Sequence, residues 1–245
     1  MNLNQLTNKY KSLYLQVSGG ADSALGLYLI CKHITENSLR AKVTISTWVE
    51  PQPDFPRNDK NAKKVVSIIS DMFPGIIGKH NIHQLTGYTR EDTWEPGTFL
   101  KYDAIRKFKD KARGQLNTTN WLTVGFVTAG PPLEIVEKNA RWYDRAMLIG
   151  PGDRFSGKKE NDNIRARDWT PFVNMNKKDT AKLYEEHDLM ETLFPYTASC
   201  VGSAWHTNNF TMPCYNYDAL QSCFWCYEKE WAFEGLVDQP EAYNL

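Results

Sequence analysis

Four of the five cysteines lie near the C-terminal end of the chain, in the order Cys200-x13-Cys214-x8-Cys223-x2-Cys226. A C-x-x-C pair can bind one metal from a tight turn, and two further thiolates complete the tetrahedron of a structural zinc site. The surrounding residues 195–245 show little periodicity, so a bound metal would also explain how this segment folds. The spacing therefore predicts a four-cysteine Zn²⁺ site, with an iron–sulfur cluster or unliganded buried cysteines as the alternatives.

A glycine-rich turn near the N-terminus has the residue types of an anion site. Ser18-Gly19-Gly20-Ala21-Asp22-Ser23 stands between an apolar, strand-like run and a helix-like run. Glycines let the backbone approach a ligand closely, and the N–H groups that open the next helix point at it with the positive end of the helix dipole. The hydroxyls of Ser18 and Ser23 add donors. Asp22 suits Mg²⁺ or the N-cap of the helix; a tight turn capped by Asp22 is the simpler alternative.

The composition excludes several classes of protein. The chain has 245 residues, enough to bury a core without disulfides, and its 41% hydrophobic and 24% charged residues are ordinary for a globular protein. Lysine plus arginine equals aspartate plus glutamate, 29 each, so no net positive field draws the chain to nucleic acid, which is not an expected partner. With no long apolar run and no leader-like N-terminus, we expect a cytoplasmic protein without a membrane partner.

Strand-like and helix-like segments alternate along the chain. The predicted strands are 13–17, 42–49, 80–85 and 121–127, and the predicted helices are 22–37, 58–72, 99–116, 133–148 and 177–193. This alternation predicts an α/β fold, a Rossmann-like parallel sheet with helices on both faces, over residues 1–194. Residues 150–168 are expected to form a loop, and residues 195–245 a small zinc-binding appendage. Ligands of such sheets bind beyond the carboxyl ends of the strands.

A second glycine- and lysine-containing stretch nearly matches the phosphate-binding pattern G-x-x-x-x-G-K-S/T. It covers residues 152–159, but Lys159 occupies the position of the serine or threonine, and no apolar helix follows. We therefore interpret it as a solvated loop whose Lys158 does not hold the nucleotide.

The turn S-G-G-x-D-S, placed between a strand and a helix, resembles the nucleotide loop of the ATP-pyrophosphatase, or PP-loop, family. The resemblance implies a protein that binds ATP with Mg²⁺, transfers the AMP part to a carboxylate or carbonyl oxygen and releases pyrophosphate, after which a nucleophile such as ammonia displaces AMP. It implies that Asp22 is catalytic and that the loop binds the nucleotide through Ser18, Gly19, Gly20, Ala21, Asp22 and Ser23.

Three further positions belong to this predicted site. Trp48 ends the second strand, where members of the family stack adenine, although it could instead be a core residue. Gly125 lies near the end of the fourth predicted strand and is assigned to the nucleotide as well. Lys177 opens a helix and is predicted to be catalytic by neutralising phosphate charge, with an exposed helix lysine as the alternative.

Other motifs resemble the 7-cyano-7-deazaguanine synthase family. They are Pro171-Phe172, the helix start Lys177-Lys178-Asp179, the run Thr197-Ala198-Ser199-Cys200, and the ending from Cys226 to Phe233, in which Lys229 replaces an arginine. This resemblance implies a carbon–nitrogen ligase of queuosine biosynthesis that acts on a carboxylated 7-deazaguanine, a purine-like acid, with ammonia. A homodimer is one expectation for its assembly, and the small size would suit a viral or mobile-element version.

The chain departs from this family at further places, one of which is the spacing of thirteen residues between Cys200 and Cys214, where the family's spacing is shorter. Thr98-Phe99 replaces an Arg-Asn pair, and the segment Gly125 to Pro132 lacks an aspartate. The alternatives are another PP-loop enzyme, namely a tRNA thiolase or a phosphoadenylylsulfate-reductase relative, and a non-catalytic nucleotide-binding module. Cys31, in the middle of the first helix, is poorly placed to serve a thiolase.

Overall fold

A five-stranded parallel sheet forms the centre of the structure, a computed structural model that describes residues 2–49, 58–84, 120–132, 162–164, 167–198, 224–236 and 241. The strands are β1 (Ser12–Gln16), β2 (Lys42–Val49), β3 (Ile77–Gln84), β4 (Trp121–Val124) and β5 (Asp168–Trp169). They lie in the order β3-β2-β1-β4-β5, and each neighbouring pair is parallel. The predicted α/β class with a parallel sheet is confirmed.

Four helices are described: α1 (Ala21–Glu36), α2 (Asn58–Met72), α3 (Lys177–Glu186) and α4 (Phe224–Ala232). Helix α1 contacts α2 and α3, and α3 contacts α4. The helices predicted at 99–116 and 133–148 lie outside the described residues. In the described part of the chain, no helix has the length and apolar character needed to cross a bilayer.

The direction of strand succession reverses between β1 and β4. From β1 the chain adds β2 and then β3 on one side, and afterwards returns to place β4 against the other side of β1. Loops leaving two such strands diverge and leave a crevice beyond their carboxyl ends, which is where ligands bind in open α/β sheets. The glycine-rich turn follows β1 directly, and Gly125 follows β4, so both predicted segments lie at this reversal.

Burial follows the position of each element in the fold. Helix α1 is apolar and buried through most of its length, as expected for a helix that shares a core with the strands and contacts two other helices. All four residues of β4 are buried, whereas every residue of β3 is exposed or half-buried. Since β3 ends the strand order, its exposure is that of an edge strand.

Several predicted boundaries are wrong by a few residues. Strand β3 begins at Ile77 rather than at residue 80, and the ladder is already forming just before it, where the Val43 N–H donates to the Ile76 carbonyl. Strand β4 ends at Val124 rather than at residue 127. The helix predicted to reach residue 193 ends at Glu186, because Asp188 adopts the left-handed conformation (φ 54°) that terminates helices.

The C-terminal segment contributes to the main core. Ala232 and Phe233, at the end of α4, are buried with Tyr184 and Phe194, and the three aromatic rings pack with centroids 4.5–5.7 Å apart. A short 3₁₀ helix (Phe194–Tyr196) places Phe194 there. Strand β5 includes Asp168, which the sequence assigned to a loop. The division into 1–194 and 195–245 stays a prediction.

Candidate nucleotide site

Gly19 is the residue that allows the turn after β1 to form. Its φ is +82°, a left-handed conformation that favours glycine. A Cβ at this position would lie 2.7 Å from the backbone nitrogen of Ala62 and from the Cβ of Asn61. The turn is thus pressed against the first turns of α2, and the residue type at position 19 is set by both conformation and space.

The two predicted serine hydroxyls shape the turn. The Ser23 hydroxyl donates to the Gly20 carbonyl (3.0 Å) and accepts from the Ser18 N–H (3.2 Å). The hydroxyls of Ser18 and Ser23 lie 3.3 Å apart. These bonds close the turn on itself, so that the backbone of residues 18–23 has a defined path around the start of α1.

Helix α1 presents an open N-terminus to the crevice. Its N-cap is Gly20, and among the described residues no side chain caps it by a hydrogen bond. The first N–H groups of a helix have no partner inside the helix and carry the positive end of its dipole. The capping role considered for Asp22 is therefore wrong, because Asp22 lies inside the first turn. An anion at this point would meet donors without displacing a cap.

The Asp22 carboxylate is bound by side chains from distant parts of the chain. Its Oδ2 lies 2.9 Å from the Lys177 ammonium, and its Oδ1 accepts from the Thr180 hydroxyl at 3.3 Å. The Thr128 hydroxyl lies 3.5 Å from Oδ2. Three elements, namely α1, α3 and the segment after β4, thus converge on one carboxylate at the crevice.

The start of helix α3 explains the position of Lys177. The Asn176 side chain accepts from the N–H groups of Lys178 (2.9 Å) and Asp179 (3.2 Å), and the Asp179 carboxylate accepts from the Asn176 N–H (2.9 Å). This capping box fixes the first turn of the helix. Lys177 is only 4% exposed, so the alternative of an exposed helix lysine is wrong.

A second carboxylate lies on the other side of this lysine. The Glu228 Oε2 is 3.8 Å from the Lys177 Nζ, and Glu228 is fully buried in α4. Buried charges are stable only when opposite charges and hydrogen bonds surround them. Lys177 therefore joins the glycine-rich turn to the C-terminal helix. Sequence reasoning did not select Glu228, and no local pattern marks it.

Two hydrogen bonds from later parts of the chain also hold the backbone of the turn. The Tyr184 hydroxyl donates to the Ala21 carbonyl at 2.8 Å, and burial, with a smaller contribution from the Asp22 charge, raises the pKa of Tyr184 well above its usual value. The Ala198 N–H donates to the Gly19 carbonyl at 3.0 Å. The predicted Thr-x-Ser-Cys run therefore begins directly against the turn, although Ser199 and Cys200 lie outside the described residues.

Trp48, predicted to stack adenine, is half-buried at the carboxyl end of β2. Its ring stacks on His83 of β3, with centroids 4.5 Å apart and planes 24° from parallel. Burial, followed by the nearby Lys79 charge, lowers the pKa of His83. The two rings form an aromatic pair at the carboxyl ends of β2 and β3, and this pair was not evident from the sequence because the partners lie on different strands.

The segment after β4 forms the opposite side of the crevice. Gly125 donates its N–H to the Trp169 carbonyl at 2.9 Å, and a Cβ at Gly125 would meet no atom of the described residues within 4 Å. Thr128 is 2% exposed and turned toward Asp22. The segment after β4 thus contributes the Thr128 hydroxyl to the Asp22 carboxylate.

Magnesium fits the residues of this site. Mg²⁺ commonly binds one or two carboxylates and completes its shell with water and substrate phosphates, and Asp22 offers one such carboxylate beside a helix N-terminus that no described side chain caps.

The predicted zinc site is not tested by the described residues. Cys200, Cys214 and Cys223 lie outside the described residues, and only the backbone of Cys226 is described. Elsewhere in the described ranges no cluster of three metal-binding side chains occurs.

Comparisons with known proteins give a likeness of fold at low identity. No protein-family model matches the chain, and no curated protein matches it. The U34-tRNA thiolase of Methanococcus maripaludis, solved with its 4Fe-4S cluster, is 14% identical, with a TM-score of 0.46 over 80% of this chain. This chain spans 62% of the thiolase's length.

Two synthetases are similar at the same level. NMN synthetase from Francisella tularensis is 13% identical, with a TM-score of 0.38 over 92% of this chain and 84% of the other. NAD+ synthetase from Burkholderia pseudomallei is 10% identical, with a TM-score of 0.40 over 95% and 77%. TM-scores this low give no argument about the family of this chain or about the role of any residue.

Proposed function

We propose that this chain is an ATP-dependent enzyme that transfers the AMP part of ATP to an oxygen of a carboxylic acid and releases pyrophosphate. The supporting observation is the position of the S-G-G-x-D-S turn. It lies at the carboxyl end of β1, at the reversal of strand order, with an uncapped helix behind it and the Asp22–Lys177 pair beside it.

Each group then has a chemical role. The backbone of Gly19 and Gly20 and the N-terminus of α1 bind the β- and γ-phosphates. Asp22 would hold Mg²⁺, which shields phosphate charge and aligns the leaving pyrophosphate. Lys177 neutralises the charge that grows on pyrophosphate as its bond to the α-phosphorus breaks. Trp48, with His83 behind it, offers a ring for adenine.

The reaction balances without an oxidant or reductant. A carboxylate oxygen of the acceptor attacks the α-phosphorus, the bond to pyrophosphate breaks, and an acyl adenylate forms. Ammonia then attacks the acyl carbon and loses a proton, and AMP leaves with the electrons of the broken C–O bond. The product is an amide. Alignment of the reacting atoms can supply roughly 7–11 kcal/mol of the barrier.

We infer that the acceptor is a carboxylated 7-deazaguanine, on the strength of the motifs shared with the 7-cyano-7-deazaguanine synthase family. Structure within these motifs is compatible with that role: Phe172 is buried, Lys177 binds Asp22, and Thr197 accepts from Lys229. The four cysteines would hold a Zn²⁺ ion that orders the wall of the acceptor site. Thr128 bonds Asp22 where the family has an aspartate in this segment, so recognition of the base falls to other residues.

The thiolase alternative needs a reactive cysteine. Cys31 is fully buried in α1, and burial raises the pKa of its thiol to about 12, so it carries almost no thiolate at neutral pH. A thiolase activity would therefore depend on the C-terminal cysteines. A non-catalytic module would keep the turn and bind nucleotide without turnover.

The decisive experiment follows ATP labelled at the α- and γ-phosphates. With Mg²⁺, ammonium and 7-carboxy-7-deazaguanine, we expect AMP and pyrophosphate. Formation of ADP and phosphate contradicts the proposal. Binding of nucleotide without turnover, across a panel of carboxylic acids, favours the non-catalytic module. Calorimetry with the acid and a non-hydrolysable ATP analogue tests the acceptor separately: no heat at millimolar acid removes the deazaguanine assignment alone.

Matched variants locate the site. Asp22→Asn keeps the size of the side chain and should lower AMP formation by about 10²-fold or more, as the loss of an electrostatic group in an active site does. Asp59→Asn, at a partly exposed ion pair with Lys63, is the control and should leave the rate unchanged. Lys158→Ala, in the second glycine-containing stretch, should have a small effect. A larger loss in Lys158→Ala than in Asp22→Asn would place the phosphates at the other loop.

A further inference from the structure

Lys177 lies between two carboxylates on different elements. Its ammonium is 2.9 Å from Asp22 Oδ2 and 3.8 Å from Glu228 Oε2. The side chains of Lys177 and Glu228 are 5% and 0% exposed, and that of Asp22 is 17% exposed. Lys177 is thus closer to the partly exposed carboxylate of Asp22 than to the fully buried carboxylate of Glu228.

A cation on Asp22 would conflict with this arrangement. Mg²⁺ binds carboxylate oxygens at about 2.1 Å, so an ion on Oδ2 would lie within about 5 Å of an ammonium bonded to the same oxygen. Two like charges at that distance repel strongly in a partly buried site. The lysine must therefore give up Oδ2 when the cation arrives.

The surroundings keep the carboxylate in place during such an exchange. The hydroxyls of Thr180 and Thr128 approach Asp22 at 3.3 and 3.5 Å, and neither depends on the lysine. Thr180 is fully buried, and its single hydroxyl proton is shared between the Asp22 carboxylate and the Lys177 carbonyl, which is the nearer acceptor at 2.8 Å. The same hydroxyl thus fixes the backbone at the start of α3.

We propose that Lys177 is the resident counter-charge of Asp22, and that Glu228 receives this lysine when a divalent cation binds the Asp22 carboxylate. The inference rests on the proposed function in one respect, namely that Asp22 is a cation ligand. Glu228 is a positioning residue: it holds the ammonium after Asp22 has released it. The cation alone binds weakly, because it must displace the lysine, and binds better when phosphates add negative charge.

The test measures Mn²⁺ binding without nucleotide, by electron paramagnetic resonance on the full chain. Lys177→Met removes the competing charge and should tighten Mn²⁺ binding by about tenfold or more, as expected for loss of a nearby like charge. Glu228→Gln removes the second partner, keeps the lysine on Asp22 and should weaken binding by a similar factor. Glu228→Asp keeps the charge and should restore binding toward the wild-type value.

These outcomes separate the proposal from a static structural role. A static charge array also predicts opposite shifts, but additive ones, whereas the exchange predicts that Glu228→Gln loses its effect once Lys177→Met is present, because Glu228 acts through the lysine. Additive shifts in the double variant therefore overturn the proposal. Unchanged or weaker binding in Lys177→Met, or unchanged or tighter binding in Glu228→Gln, overturns the proposal. So does a Lys177→Met gain that persists when Asp22→Asn is added. Circular dichroism checks folding, and if Lys177→Met does not fold, Glu228→Gln decides.

The readout is independent of turnover. If no AMP forms but Mn²⁺ affinity changes as expected, the proposed reaction fails and the counter-charge exchange stands. If AMP forms but the two variants do not shift Mn²⁺ affinity in opposite directions, the exchange fails and the proposed reaction stands.

Discussion

The ammonium of Lys229 donates to both the carbonyl oxygen and the hydroxyl of Thr197, at 3.0 and 3.2 Å. It also lies 4.4 Å from the centre of the Phe194 ring, and Lys229 is fully buried. The N–H of Ala198, the residue after Thr197, donates to the Gly19 carbonyl. One lysine of the C-terminal helix therefore fixes the segment that supports the glycine-rich turn.

Replacement of Lys229 should destabilise the protein. Lys229→Met leaves the Thr197 carbonyl without its charged donor, and an unsatisfied buried acceptor costs about 1–3 kcal/mol. Urea unfolding measures the change. Lys182→Met, at an exposed helical position, is the control and should change stability by less than about 0.5 kcal/mol. Lys229→Arg, the residue type of the related family, should retain most of the stability. A Lys229→Met protein as stable as the wild type would contradict this role.

Gly19→Ala should cost more than Gly75→Ala. Both glycines have positive φ, +82° and +77°, so both substitutions carry a conformational cost of about 1–2 kcal/mol. Only at Gly19 would the new Cβ lie 2.7 Å from atoms of α2, which adds an overpacking cost of about 1–3 kcal/mol. The difference between the two free energies of unfolding isolates the close contact. Equal losses of unfolding free energy in the two variants would show that α2 accommodates the new Cβ without a measurable cost.

The Cys31 thiol should make stability fall in alkali. Its pKa is raised from 9.0 to about 12 in the folded chain, so above about pH 9 the unfolded chain loses this proton first. The free energy of unfolding should then fall by about 1.4 kcal/mol per pH unit. Cys31→Ala should remove this part of the slope between pH 9 and 10. In the native protein at pH 8, iodoacetamide should leave the Cys31 peptide unmodified, as mass spectrometry can show.

The chain should carry one zinc ion. Cys226→Ser opens a closed four-thiolate site and removes much of a folding contribution that is on the order of 10 kcal/mol in small zinc modules. We expect a lower melting temperature and less than one zinc per chain by elemental analysis. Cys31→Ser is the control and should keep its zinc. Gently purified wild-type protein without metal would refute the four-cysteine assignment.

Local signals account for what could be predicted. The apolar run before Gly19 and the amphipathic pattern of residues 58–72 have short periods, so β1, α2 and the turn between strand and helix were recognisable. β5 was missed because two residues, Asp168 and Trp169, are too few to show a strand period. Its existence depends on pairing with β4, which is a tertiary effect.

The contacts of the site could not be derived from periodicity. Asp22 and Lys177 are 155 residues apart, and their pairing depends on the packing of α3 against α1. Resemblance to a family placed both at one site, but it did not indicate that they bind each other. The role of Glu228 depends on the packing of α4 against α3, and the sequence of residues 224–232 does not predict that packing.

Gly26 lies within α1, one helical turn away from the glycine-rich turn. A Cβ at this position would come within 2.1 Å of the Phe126 ring. Phe126 lies in the segment that follows β4. Phe126 also packs on Phe172, with ring centroids 5.6 Å apart, so a second ring limits the movement of Phe126. Any larger residue at position 26 would therefore displace the Phe126 ring and, with it, the segment that leaves β4. The course of the chain beyond the fourth strand thus depends on the absence of one side chain in the middle of the first helix.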